Sequence, residues 1–398
     1  MRIAVVHSRY GSGAPSGENL VVAAQAEALR RAGHEVHEVT AATDELAGQP
    51  LYALRSAATV ATGRGRSPGP RLRELAPDVV HVHNLFPNFG RSWVRSWAGP
   101  LVTTLHNYRP LCANALLYRD GAVCTRCPDG DRWAGLRHGC YRDSRAATLP
   151  LALAGRAGPP GDPLLARADK AIVLSELSRT TYERAGIPAA RLQLIPNFVR
   201  AAASSPAPPG RRWVYVGRLS AEKGVLELLR RWPSDQPLDV IGGGPLAEAC
   251  RAEAPGSVRF LGVLSPEDVA QLLPRYAGLV FPGRCYEGMP TVYGEALAAG
   301  VPVLAFEGSS VPLAVRAEGT GLVVREGEPL GPVLAEATAR FPGLRGRCRE
   351  VYARAYAESV WLARIERLYT DLCARPLTDQ STRPVPATRR AARREARA

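Results

Sequence analysis

Two acidic residues, Glu287 and Glu295, flank a point where chemistry on an anionic ligand could take place. The apolar run Ala277-Gly278-Leu279-Val280-Phe281 reads as a buried strand. A loop follows, and then a helix opened by Pro290, a residue suited to the first helical position. Glu287 stays in the loop and Glu295 falls about five residues into the helix. The two carboxylates therefore bracket a helix N-terminus, whose free N–H groups and positive dipole end favour anions. Carboxylates that accept hydrogen bonds from hydroxyls, beside a helix end that favours phosphate, suit a sugar nucleotide. Two solvated acids at a helix start, where acids are favoured anyway, are the plainer reading.

A second group supplies positive charge. In Gly217-Arg218-Leu219-Ser220-Ala221-Glu222-Lys223-Gly224 a strand ends on glycine and turns toward a helix. Arg218 and Lys223 can both face that strand end, the guanidinium forking onto phosphate oxygens and the ammonium acting as a point charge. Only Lys170 and Lys223 among the basic residues are lysines, which fits a specific cation site. Surface pairing with Glu222 or Glu227 is the competing reading. Gly242-Gly243-Gly244-Pro245 closes another strand, and glycine there lets a ligand approach the backbone.

All seven histidines lie in the first 140 residues, so any imidazole chemistry comes from the N-terminal half. His106 ends the run Thr104-Leu105-His106-Asn107. His81 and His83 end another strand and by alternation share one face, which reads as a pair of half-buried structural imidazoles. Cys112, Cys124, Cys127 and Cys140 form a compact set with a central C-x2-C pair. Such spacing suits a structural zinc, and it also suits reduced thiols without metal or a redox pair.

The elements that must position these residues come in two alternating series. Ile3–His7, Glu35–Thr40, Asp78–His83, Pro100–His106, Ala171–Leu174 and Gln193–Ile195 read as strands, with a helix over Glu18–Ala32 stopped by Gly33. Trp213–Gly217, Leu238–Gly242, Val258–Gly262, Leu279–Phe281, Val301–Phe306 and Leu322–Val324 read as a second set. Apolar strands alternating with helices predict an α/β protein of two doubly wound, Rossmann-like domains. Residues 1–200 form the first domain and 211–357 the second, joined by a proline-rich linker over 201–210. Their ligand cleft would lie between them, outside the carboxyl ends of the strands. An amphipathic helix over 358–373 follows, and 376–398 is a basic tail with little to bury.

The chain has 398 residues, 46% of them hydrophobic and 22% charged, within the range of soluble globular proteins. The start has too short an apolar run for a signal peptide, and no stretch reaches the roughly 18 apolar residues of a membrane span. A cytoplasmic protein is expected. The net charge of +14 is uneven: residues 1–200 carry 25 Lys and Arg against 16 Asp and Glu, and 376–398 carry 6 against 2. This reads as an arginine-rich surface, or as attraction to an anionic acceptor or to the inner membrane face as a peripheral partner. Nucleic acid is not expected, because no basic run interleaved with aromatics appears in the folded part.

Arg218 and Lys223, the Gly-Gly-Gly-Pro turn, Glu287-x7-Glu295 and Ala299-Gly300-Val301-Pro302-Val303 occur in that order. Together they resemble the donor domain of the retaining glycosyltransferases of family 4, which have the GT-B architecture. The resemblance spans roughly residues 1–372 and includes a subgroup with a Cys-rich segment in the first domain. It implies transfer of a sugar from a nucleoside diphosphate to an acceptor hydroxyl with retention, and no cofactor for catalysis. It implies that Arg218 and Lys223 hold the donor diphosphate, that Glu295 binds the ribose and that Glu287 contacts the sugar. Gly288, Met289 and Thr291 would offer backbone N–H groups, and Gly243 and Val263 would lie along the donor site near the base. From the first domain it implies Gly17 near the diphosphate and His106 near the donor sugar. It also implies that the 358–375 segment crosses back to the first domain. The acceptor, a glycan, a lipid-linked glycan or a small natural product, stays open. An epimerase-like enzyme of the same architecture and a non-catalytic sugar-nucleotide binder stay open beside it.

Overall fold

The computed structural model describes residues 1–11, 17–201 and 210–374. The expected linker, apart from its two ends, and the basic tail lie outside the described residues.

Two six-stranded, wholly parallel sheets account for the architecture. The first is built from β1 (Arg2–Arg9), β2 (Glu35–Ala42), β3 (Val79–Asn84), β4 (Leu101–Leu105), β5 (Lys170–Val173) and β6 (Leu192–Leu194), in spatial order 2-1-3-4-5-6. The second is built from β7 (Trp213–Val216), β8 (Leu238–Ile241), β9 (Val258–Gly262), β10 (Gly278–Phe281), β11 (Val303–Phe306) and β12 (Gly321–Val324), in order 9-8-7-10-11-12. Strands such as β3, β4 and β10 are buried almost throughout, because helices cover both faces; β10 accordingly reads as an unbroken apolar run, while β3 and β4 also bury His81, His83, Thr103 and Thr104.

Each order reverses direction once, and there no helix crosses over the strand ends. In the second sheet the reversal lies between β7 and β10, whose ladder stops at Val214↔Leu279. Beyond that pair the strand ends part and leave room for a ligand. In the first sheet the reversal lies between β1 and β3.

Helix α1 (Gly17–Arg31) follows β1, and α2 (Tyr52–Thr62) packs beside α3 (Arg145–Gly155) over the first domain. Helix α4 (Thr291–Ala298) follows β10, and α5 (Leu330–Ala355) covers the second sheet. Pro290 is the N-cap of α4, in extended backbone, and Thr291 is the first helical residue. The expected position of Pro290 is thus off by one, because proline after Met289 keeps the turn extended before the helix begins.

Helix α6 (Glu358–Cys373) belongs physically to the first domain. Its Trp361, Ile365, Leu368, Tyr369 and Leu372 bury against Ile3, Val5, Val79 and Val102 of the first sheet. Trp361 packs on Phe198 at 5.1 Å between ring centroids. At the rim, Glu358 accepts from Arg200 at 2.9 Å and also pairs with Arg31. The chain therefore crosses between domains twice, near 201–210 and near 357.

Candidate donor cleft

A cavity of ≈340 Å³ lies between the domains, in the size range of small-ligand sites. Gly17, Glu18 and His106 line it from the first domain. Gly217, Lys223, Glu287, Met289, Thr291 and Glu295 line it from the second. Its floor is the parted ends of β7 and β10, and the N-terminus of α4 opens into it.

Lys223 Nζ donates to Glu287 Oε2 at 2.7 Å. The lysine therefore pairs across the strand gap with Glu287, and the competing pairing with Glu222 or Glu227 does not form. Glu222 is instead taken by Ser220, whose hydroxyl donates to it at 2.6 Å. Burial alone would lower the Lys223 ammonium, but the adjacent Glu287 carboxylate more than offsets this and raises it, so the lysine stays charged. Glu287 Oε1 is buried without a partner among the described residues. An unsatisfied carboxylate oxygen inside a cavity is matched by a ligand hydroxyl.

Glu295 projects from the second turn of α4 and takes a hydrogen bond from Thr291. Burial raises its carboxyl, partly countered by that bond. The loop before α4 meets the first domain at Gly288. A Cβ there would lie 2.7 Å from the His106 carbonyl oxygen, so the close approach of the two domains requires glycine.

Not every expected residue reaches the cavity. Arg218 is exposed and outside its lining, and its carbonyl accepts from the Tyr215 hydroxyl at 2.8 Å. Gly243 and Val263 sit at the next strand ends, outside the lining, and Val263 is 72% exposed. A Cβ on Gly243 would come within 3.0 Å of Val263 Cγ2, so the two at least adjoin each other.

The histidines form a buried stack at the carboxyl end of the first sheet. His83 Nδ1 and His106 Nε2 share a hydrogen bond at 2.9 Å, and the His81 and His83 rings lie 4.1 Å apart. His81 is bonded to Tyr369 of α6 at 2.6 Å and to Thr104 at 2.7 Å. His81 and His83 are fully buried, where half-burial was expected, because α6 covers their face. Burial pushes His81 and His106 down to about 3, so both stay neutral at physiological pH.

Glu18 is the cleft residue that pattern reading missed. Its side chain is 9% exposed, Oε2 accepts from Asn107 at 3.0 Å, and Oε1 has no partner among the described residues. Oε1 lies 4.0 Å from His7 Nδ1, which is also buried and unpartnered, a gap that one bridging hydroxyl or water spans. Burial raises Glu18 to about 7. A folded-state value above the ordinary 4.5 means the native protein binds more protons than the unfolded chain between these values. Stability must fall as pH rises through that window, and the full cost, ~3 kcal/mol, persists above about 7. Glu18→Gln is therefore expected to raise the melting temperature at pH 8 and leave it nearly unchanged at pH 4. Equal shifts at both pH values would refute the buried-carboxyl assignment.

The four N-domain cysteines are free thiols, partly exposed. Among the described residues no three His, Cys, Asp or Glu side chains are placed to hold a metal ion together. The Cys112 thiol donates to Asn114 at 3.0 Å, and burial first, then the neighbouring cysteines, raises Cys127 to about 11 and raises Cys140. The Asp-x-Asp spacing of Asp129 and Asp131 falls in the same segment; Asp131 pairs with Arg137, and neither residue lines the cleft. Elemental analysis of protein purified under reducing, chelator-free conditions separates the readings: about one equivalent of zinc is expected if Cys112, Cys124, Cys127 and Cys140 form a site, and well under one equivalent would leave them as thiols without metal.

Two parallel Rossmann-like sheets facing each other across a cleft, with the chain crossing back at α6, define the GT-B architecture. Residues 15–202 match the model for Glycosyltransferase Family 4, and residues 210–341 match that for Glycosyl transferases group 1. The matches fall in tandem on the two sheets: the chain has the GT-B fold and is similar to glycosyltransferase family 4 over its first half and to glycosyl transferases group 1 over its second. Similar solved structures include HepE of Anabaena with UDP-glucose, at 16% identity, TM-score 0.61 and coverage of 94% of this chain and 100% of that one. Sucrose-phosphate synthase of Thermosynechococcus elongatus is similar at 20% identity and TM-score 0.66, over 94% and 99% of the two chains. A GDP-mannose-dependent α-(1-6)-phosphatidylinositol monomannoside mannosyltransferase of Mycobacterium tuberculosis is 30% identical over 190 residues, 39% of this chain and 48% of that protein. An exopolysaccharide phosphotransferase of Streptomyces coelicolor is 29% identical over 241 residues, 55% of this chain and 25% of that protein. The chain thus spans a quarter to about half the length of these curated relatives. Among the described residues no helix is long and apolar enough to cross a membrane.

Proposed function

We propose that the protein is a glycosyltransferase that moves a hexosyl-type group from a nucleoside diphosphate to an acceptor hydroxyl, with retention at the anomeric carbon. The observation that carries this reading is the convergence of Lys223, Glu287, Glu295 and the α4 N-terminus on one cavity, facing Gly17 and His106. The helix end and the Lys223 ammonium suit a diphosphate, and the two carboxylates suit hydroxyls on either side of it. Glu295 is assigned to the ribose and Glu287 to the transferred sugar. UDP-glucose in HepE and GDP-mannose in the mannosyltransferase name support a nucleotide-sugar donor for this chain as well.

In the reaction, the bond between the anomeric carbon and the diphosphate oxygen breaks, and its electron pair leaves with the diphosphate. The acceptor oxygen bonds to the anomeric carbon on the same face and gives its proton to the departing diphosphate. Lys223 and the α4 N–H groups stabilise the charge as it develops. Neutral His106 serves as a hydrogen-bond partner to the sugar, and no charge change is asked of it.

A thermal-shift screen of UDP- and GDP-sugars tests the reading. A donor at 100 times its dissociation constant should add ~2.7 kcal/mol of stability. Stabilisation by a nucleotide sugar, with acceptor-dependent release of nucleoside diphosphate and a product of unchanged anomeric configuration, is expected. Conversion of the donor without acceptor would favour an epimerase-like enzyme, and binding without turnover a non-catalytic binder.

A further inference from the structure

A second cavity, ≈120 Å³, lies in the first domain behind His106. It is roofed by α2 and α3, and its walls are largely apolar, with Val60, Leu85, Phe86, Phe89, Leu151 and Leu164 among them. His106 lines both this cavity and the donor cleft, so one imidazole forms the wall between them. Helix α2 buries none of its own residues and α3 buries only Thr148 and Ala152. The two helices therefore pack on each other and leave space above the sheet, instead of filling it with side chains.

The charged groups around the space are already used. Arg91 pairs with Asp162. Arg109 lies with its guanidinium 4.4 Å over the Phe86 ring and donates to the Ala113 carbonyl. The Asn84 amide donates to the Ser8 carbonyl at 3.3 Å, and the Asn107 amide to Glu18 at 3.0 Å. Arg109 is thus the one cation of the lining without a carboxylate partner among the described residues, and its guanidinium is engaged by the Phe86 ring and the Ala113 carbonyl. A space of this size admits a ring or a short hydrocarbon, as an engineered cavity of about 150 Å³ does with benzene. The one polar atom of the lining residues that is buried without a partner is Arg109 Nε, a donor for a neutral oxygen.

We infer that this cavity is the seat of an uncharged apolar group, a ring or a branched five- to six-carbon unit, carried by the acceptor next to its reactive hydroxyl. The inference rests on the transferase reading above and adds the chemical class of the acceptor. The apolar group would anchor the acceptor in the first domain, and the hydroxyl would emerge past His106 toward the donor sugar. The shared chemistry fits an aromatic aglycone and a prenyl-type chain alike.

Benzyl alcohol and 3-methyl-2-buten-1-ol are suitable probes, one for each source, with methanol as the control. Saturation-transfer NMR on the full chain should show saturable binding of at least one of the two at millimolar concentration, and none of methanol. Gly155 lines the cavity, and a Cβ there meets nothing within 4 Å, so Gly155→Leu fills the space without a backbone clash. Gly155→Leu, and independently Ala154→Leu, should weaken probe binding at least tenfold and leave UDP or GDP binding unchanged. Absence of saturable binding to the wild type, or equal binding by both filled variants, overturns the inference. Probe binding in a protein that binds no nucleoside diphosphate would uphold the apolar site and remove the transferase reading. Preference for the aromatic or the prenyl probe names the source.

Discussion

Lys223→Ala is expected to lower sugar transfer by roughly 10²–10³-fold, the range found when a single preorganised charge-stabilising group is removed from an active site. Lys223 is the cation that lines the donor cavity from the second domain. Its ammonium is held 2.7 Å from Glu287 and stays charged in the folded protein. Removal acts twice. The leaving diphosphate loses a point charge where its own charge develops. Glu287, already with one oxygen unpartnered, also loses the partner of the other and becomes a repulsive carboxylate beside the phosphates. Arg218 is exposed and outside the cavity lining, so Arg218→Ala alone should cost less, while the double variant should be inactive. Single-turnover rates with saturating donor measure this. Turnover within threefold of wild type in Lys223→Ala would remove the lysine from the mechanism, and a matching melting temperature would show that the fold is intact.

Glu295→Ala should reduce donor affinity at least tenfold. A hydrogen bond to a charged group is worth ~1.5–3 kcal/mol, and one carboxylate can accept from both ribose hydroxyls. Glu295 is positioned by α4 itself: Thr291, one turn earlier, hydrogen-bonds it and keeps it over the cleft. Because the ribose is common to donor and product, calorimetry should show the same loss for UDP or GDP as for the full nucleotide sugar. Glu287→Ala should instead weaken only ligands that carry the sugar. Unchanged nucleotide affinity in Glu295→Ala would refute the ribose assignment.

The strand pattern was largely legible because parallel, doubly covered strands must be apolar on both faces. Gly278–Phe281 is such a run, whereas Val79–Asn84 pairs apolar Val79, Val80 and Val82 with buried His81 and His83. The amphipathic period of 358–373 marked α6 through Ile365, Leu368, Tyr369 and Leu372, while the buried face also takes Trp361 and leaves Val360 and Leu362 only partly covered. Glu287 and Glu295 stood out for a related reason: acids are tied to a helix start by local electrostatics, which sequence spacing records. Glu18 did not stand out, although it too sits in a first turn. Its distinction is burial beside His7 and Asn107, and those contacts come from β1 and from the segment after β4.

Residue types and spacing by themselves determined the two alternating series, the acids around the α4 start and the confinement of imidazoles to the first half. Local propensities and apolar periodicity are written along the chain, so these features survive without coordinates. Tertiary structure alone decided that Lys223 pairs with Glu287, that the Arg218 side chain is exposed and that Glu18 is buried beside His7 and Asn107. It also decided that His83, His81 and Tyr369 stand behind His106, and that an apolar cavity shares the same imidazole with the donor cleft. Each of these depends on which strand ends lie side by side and on how closely Gly288 lets the domains approach. Contacts between residues tens to hundreds of positions apart are set by packing, which no local pattern encodes.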